Sequence, residues 1–189
     1  SVVLKPSEHT PNTSKLIKKI VEKVFPTELM SVIEGDSKTA SKLLEKKWDY
    51  IFFTGSVKIG EIVAMAAAKN LTPYTLELGG KSPAIINKDI DLKLASKRIV
   101  WGKFLNSGQT CVAPDYLVAH KSIKGALIKE LIKRIEKTLG KQLEKTEDFT
   151  AIVNEKNFNR LVGLINKNNL IYGGKYDKVK RYVSPTIID

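Results

Sequence analysis

Between residues 1 and 78, short β-branched runs alternate with stretches of helical period, and few folds admit that alternation. "SVVLK" reads as a buried strand. Thr13-Ser14-Lys15-Leu16 opens a helix running to about Phe25, and Pro26 closes it. "LMSVIEG" is a strand ending at Gly35, and Asp36 or Ser37 caps a helix over about Lys38 to Lys46. "YIFFTG" is a continuous apolar strand, the pattern of a parallel sheet covered on both faces. A helix from about Lys58 to Asn70 and the strand "YTLEL" follow. This β-α-β-α-β-α-β order predicts a doubly wound α/β sheet.

After Gly79-Gly80 the pattern starts again. "SPAIINK" is a strand, and "DLKLASKRIVWGKFLNSG" is a helix with Asp at its start and Gly at its end. "DYLVAH" is a strand and "SIKGALIKELIKRIEKTLG" a long amphipathic helix. The polar run "KQLEKTEDFT" leads to a helix near Glu155 to Ile165, then a turn region at "YGGKYDK". The two glycines place a domain boundary near Leu78 to Lys81, dividing 1–78 from 79–189. "SVVLKPS" begins as a strand at residue 1 without a methionine, and "VSPTIID" stops in one. The expectation is a central piece of a longer protein.

The 189 residues suffice for one good core or parts of two. One cysteine excludes an internal disulfide, and with only His9 and His120 beside it a Cys/His zinc site is not expected. The net charge of +12 raises the question of nucleic acid. The lysines fall between apolar residues at helical spacing, as in "SKLIKKIVEKVF", which is the pattern of solvated helix faces. No nucleic acid partner is therefore expected. No apolar run approaches the roughly 20 residues of a membrane span.

Three segments carry chemistry. In "FFTGSVKIGE" a buried strand ends at Gly55 and a helix begins, so free N–H groups and the positive end of the helix dipole make an anion site. Gly55 lets backbone approach a phosphate, the Ser56 hydroxyl can donate to it, and Gly60 allows close helix-to-sheet packing. A glycine-lined turn without a ligand would read the same way. In "YTLELGGKSPA" Glu77 stands at the carboxyl end of a strand, where α/β proteins bind ligands. Among apolar neighbours it is suited to act as a base near neutral pH, and a salt-bridged structural glutamate is the other reading. "GGKS" is not a P-loop, because Thr75 stands where the first glycine is required. In "FLNSGQTCVAPDY" Cys111 follows a turn, where a thiolate can be presented to a substrate. Position alone leaves nucleophile, structural free cysteine, and a dyad with His9 or His120 all open.

Taken in order, "KPSE", "FTGSVKIG", "LELGGKSP" and "FLNSGQTCVAPDY" resemble the aldehyde dehydrogenase superfamily. "LELGGKSP" and "GQ-x-C" are similar to its two active-site signatures, with Glu77 and Cys111 34 positions apart. "WGKF" and "CVAPDY" resemble the class 3 and fatty aldehyde dehydrogenase branch. The resemblance implies a Rossmann-type cofactor domain, partial at 1–78, followed by part of an α/β catalytic domain. It implies Cys111 as nucleophile, forming a thiohemiacetal and then a thioester, and Glu77 as the base for its hydrolysis. Lys5 and Glu8 match positions on the adenosine ribose. Gly55, Ser56 and Gly60 match the segment against the pyrophosphate, and Leu78 the nicotinamide end.

Glu8 favours NAD, although the branch also uses NADP. The implied substrates are medium- to long-chain aliphatic or aromatic aldehydes. The implied whole is a homodimer in the cytoplasm or on the cytosolic face of an intracellular membrane, with any membrane contact made by a C-terminal tail beyond these residues. The family's oxyanion asparagine lies upstream of "SVVLKPS", and its glutamate-phenylalanine segment lies downstream. Little or no activity is therefore expected of the 189 residues alone. A non-catalytic relative that binds nucleotide or a partner chain is the alternative.

Overall fold

A computed structural model describes residues 1–140 and 149–189. Most of the polar connector at 141–150 thus lies outside the described residues. Ser1–Leu78 and Gly79–Asp189 form two compact units.

In the first unit the elements are β1 (Val2–Leu4), α1 (Pro11–Val24), β2 (Met30–Val32), α2 (Ser37–Leu44), β3 (Ile51–Thr54), α3 (Val57–Lys69) and β4 (Tyr74–Glu77). Strands β1 and β2 pair in parallel, as do β3 and β4, each pair joined by a crossover helix. The arrangement is mixed α/β with parallel strand pairs, a partial Rossmann-type architecture. Helix α1 begins two residues before Thr13, because Pro11 occupies its first turn with φ already set for a helix. Asp36 rather than Ser37 caps α2, accepting from the N–H groups of Lys38 and Thr39.

Two burial expectations need correction. Val2 and Val3 of β1 are 55% and 38% exposed, so that strand is not buried within this chain. Phe52 of β3 is 68% exposed, so β3 is not covered on both faces. The reason is shared: in the ladders described, β1 has only β2 beside it and β3 only β4. Helix α3 packs on β3 and β4. It buries Gly60, Val63 and Ala67, a stripe of small side chains that lets it lie close to the strands.

The second unit runs β5 (Ser82–Ile86), α4 (Leu92–Phe104), β6 (Pro114–Ala119), α5 (Lys124–Leu139), α6 (Glu155–Val162), β7 (Leu170–Tyr172), β8 (Tyr176–Asp177), β9 (Tyr182–Val183) and β10 (Ile187–Ile188). Strands β5 and β6 are parallel around α4, while β7 pairs with β10, and β8 with β9, antiparallel. Asp91 caps α4 by accepting from the N–H groups of Lys93 and Leu94. Helix α5 buries Leu127, Leu131 and Ile135, one residue per turn on a single face. These meet Ile86 and Val100 in the core. Each such side chain contributes about 1.5–3 kcal/mol by leaving water. That core fixes the end of α4, and so the start of the cysteine segment.

Candidate functional site

The first unit places five of the expected residues around the α3 start and the end of β4. The backbone N–H of Gly55 donates to the carbonyl of Glu77 at 2.9 Å, so the ends of β3 and β4 lie side by side. Ser56 caps α3, its hydroxyl accepting from the Ile59 N–H at 3.4 Å. Gly60 is buried, and a Cβ there would stand 2.8 Å from Leu78 Cδ2. The absence of a side chain at Gly60 thus leaves room for the Leu78 side chain beneath α3. Glu77 is exposed at the last residue of its strand.

Lys5 and Glu8 follow β1 and form an ion pair at 2.8 Å. The hydrogen bond from the Lys5 ammonium holds the Glu8 carboxyl below the usual carboxylate range. Beside α3, a shallow groove of about 370 Å³ is lined by Leu44, Ile62, Ala66 and Lys69, among others, from α2 and α3. The sequence reading singled out none of these groove residues. Nothing in their spacing marks them, because they come from two helices brought together only by folding.

The second unit holds Cys111. Helix α4 ends at Phe104, and a kinked turn covers Leu105–Gly108. Asn106 and Ser107 adopt φ of 51° and 55°, and Gly108 φ of 80°. Three successive left-handed residues turn the chain sharply before Cys111, whose side chain is exposed. The carbonyl of Cys111 lies against Gly80, where a Cβ would stand 2.5 Å from its oxygen. One residue after Gly80 and four after Cys111, the Lys81 ammonium pairs with the Asp115 carboxylate at 2.9 Å. Within this unit the "GGKS" run and the "CVAPD" run are thus stitched together twice. Lys103 sits at the turn as well. Burial pushes its ammonium below the usual lysine range, while the Asp115 charge acts in the opposite direction.

Gly80→Ala is expected to destabilise the second unit by about 1–3 kcal/mol, because a backbone oxygen must move to admit the methyl group. Denaturant unfolding checks this, and an unchanged midpoint would mean that the contact yields freely. Among the described residues, no three His, Cys, Asp or Glu side chains converge as a metal site. None of the described helices is long and apolar enough to cross a membrane. His9 and His120 are not in the Cys111 turn: His120 bonds through Nδ1 to the Ser122 hydroxyl at 2.7 Å, and His9 lies in the first unit.

Sequence reasoning missed the bracing of the turn. Gln109 and Ser107 bond to backbone some forty residues downstream, at separations of 42 to 44 and 43 positions. Their partners carry no distinguishing side chain and leave no trace in the sequence.

The family model of the aldehyde dehydrogenase family matches residues 1–189. A 4,4'-diaponeurosporen-aldehyde dehydrogenase of Staphylococcus aureus is 44% identical over the whole chain, which covers 42% of that protein. A dimeric NADP-preferring aldehyde dehydrogenase of Canis lupus familiaris is 43% identical over the whole chain, covering 42% of it. Aldehyde dehydrogenase family 3 member A2 of Pongo abelii is 39% identical over the whole chain, covering 39% of it. The substrate-bound structure of Staphylococcus aureus AldH superposes with a TM-score of 0.94 at 43% identity, over 98% of this chain and 41% of that one. The chain thus spans about two fifths of the length of these relatives, and it belongs to the aldehyde dehydrogenase family, among relatives of its class 3 branch.

Proposed function

We propose that the whole protein oxidises aldehydes to carboxylates with NAD⁺ or NADP⁺, Cys111 being the nucleophile and Glu77 the base. The observation that carries this reading is the placement of Cys111, the chain's single cysteine, exposed on a sharply turned and braced segment. A buried packing cysteine would need none of that apparatus.

The residues of the first unit fit a dinucleotide. Helix α3 is 13 residues long, and its first turn carries Lys58 and no acidic side chain, which suits a diphosphate at its start. Gly55 and Ser56 line that end, and Gly60 keeps the helix close to Leu78. Lys5 and Glu8 would hold the adenosine ribose, the Leu78 backbone would meet the nicotinamide end, and the groove between α2 and α3 would take the flat base. An acidic Glu8 favours a free ribose 2′-hydroxyl and hence NAD⁺. The NADP preference in the name of one relative keeps NADP⁺ as the second option.

The Cys111 thiolate would add to the aldehyde carbon, forming a C–S bond while the carbonyl π electrons move to oxygen. The backbone N–H of Cys111 would donate to that oxyanion. A nicotinamide held at the Leu78 end would supply the two-electron oxidant, as acceptor of the former aldehyde hydrogen with its electron pair, and Cys111 would then carry the substrate as a thioester. Glu77 would then take a proton from water as the oxygen adds to the thioester carbon. Breaking the C–S bond returns the thiolate and releases the carboxylate. Residues 1–78 would serve as the cofactor domain and 79–189 as the catalytic one. The 4,4'-diaponeurosporen-aldehyde in the name of one relative supports medium- to long-chain substrates, and the word dimeric in another supports a homodimer. The setting proposed is the cytosol or the cytosolic face of an intracellular membrane, without nucleic acid.

The test is aldehyde-dependent formation of reduced nicotinamide by the whole protein, across aliphatic aldehydes of increasing length and aromatic ones. Turnover with carboxylate as product is expected, with little or none from residues 1–189 alone. Absence of cofactor reduction with every aldehyde and both nucleotides would overturn the reading.

A further inference from the structure

The turn that carries Cys111 holds Ser107 in a conformation that serine disfavours. A left-handed residue other than glycine or asparagine is disfavoured by about 1–2 kcal/mol, and Ser107 adopts that conformation directly after a left-handed Asn106. Contacts from outside the turn must hold it. They come from the segment after Phe149. The Ser107 hydroxyl donates to the Thr150 carbonyl at 2.6 Å. Gln109 acts at both ends of its amide: Oε1 accepts from the Val153 N–H at 2.9 Å, and Nε2 donates to the Ala151 carbonyl at 3.2 Å. The same Nε2 lies 3.2 Å from the Asn106 carbonyl, inside the turn. An amide that serves the carbonyl of 151 and the N–H of 153 does what a neighbouring strand would do for that segment.

We infer that Gln109 is a positioning residue whose amide brackets the backbone of Ala151 and Val153, and so fixes the turn that presents Cys111. The inference rests on the reading of Cys111 as nucleophile. Gln109 touches no reacting atom and acts through the placement of the sulfur. The chemistry of the bracket demands one donor and one acceptor at the end of a single planar side chain of this length. An ionised glutamate offers acceptors only and would face two carbonyl oxygens. A protonated glutamate restores the donor. Leucine offers neither.

The experiment compares Gln109→Leu and Gln109→Glu with the wild type in the whole protein. Gln109→Leu is expected to lower kcat about 30-fold with KM within about threefold, since a displaced nucleophile loses the chemical step and not ground-state binding. Hydrogen exchange at the Val153 amide should quicken in Gln109→Leu and stay slow in Gln109→Glu. The kcat of Gln109→Glu relative to wild type at the same pH should fall as the introduced carboxyl ionises, while the same ratio for Gln109→Leu stays flat. A bracket that matters only for folding would not produce that contrast. Were Gln109→Leu not to fold, the near-isosteric Gln109→Glu decides alone by its pH profile.

The inference is overturned if both variants keep kcat within about threefold of wild type, or if Gln109→Glu shows no pH-dependent loss. Should Cys111→Ala retain wild-type turnover, the nucleophile reading fails and takes the positioning role with it. Should Cys111→Ala be inactive while the Gln109 variants are silent, only the bracket fails.

Discussion

Replacing Cys111 with alanine is expected to lower kcat for aldehyde oxidation by at least about 1,000-fold, leaving dinucleotide binding and folding in place. The size follows from the proposed chemistry: without the sulfur there is no thiohemiacetal, and covalent catalysis has no second thiol in this chain to fall back on. Folding should survive because the side chain is exposed, and surface substitutions of this kind change stability within about 0.5 kcal/mol. The bonds that shape the turn come from Ser107 and Gln109 and not from the thiol. Dinucleotide affinity, measured by titration of the oxidised cofactor, should stay within about twofold. Serine at 111 should do little better than alanine, since a hydroxyl is a weak nucleophile at neutral pH. Turnover within about tenfold of wild type would remove Cys111 from the mechanism and leave a nucleotide- or partner-binding role as the better reading.

Much of this arrangement can be read from the chain because local chemistry writes it. Asp36 before a helical run and after an apolar strand predicts a capped helix start, and the structure has that cap. Asp91 and the 127, 131, 135 stripe are equally local. The parallel pairings follow from the alternation of strand and helix, since a helical crossover returns the chain in the same direction. Burial was the less legible quantity. The run "IFF" looks fully buried by composition, yet Phe52 is largely open. Hydrophobic side chains state a need for cover without saying what supplies it. Helix ends were off by two residues at Pro11, where fixed backbone geometry decided, and by four at α4, which was read to Gly108 but stops at Phe104 where left-handed backbone begins. The bracing of the cysteine turn was invisible for another reason. Gln109 spends its amide on main-chain groups of Ala151 and Val153, and main-chain groups are the same in every sequence.

Glu77→Gln is the counterpart of the cysteine experiment, because it should separate the two halves of the reaction. The backbone of Glu77 is held by the parallel ladder to β3 and by the Gly55 N–H at 2.9 Å. A near-isosteric amide should therefore occupy the same place without disturbing the strand. Glutamine cannot take a proton from water, so acylation of Cys111 proceeds while deacylation stalls. The expected result is a burst of reduced nicotinamide close to one equivalent per site, followed by a steady rate about 100-fold below wild type. Intact mass should show the acyl adduct on the peptide containing Cys111, and hydroxylamine, which needs no base to attack a thioester, should speed its release. A glutamate serving only as a surface ion-pair partner would give the opposite pattern, with little change in rate and no burst. Steady turnover equal to wild type, or a loss of the burst together with the steady rate, would place the deacylating base elsewhere, whereas a preserved burst with a stalled second step ties the carboxylate at the end of β4 to the water that frees the product.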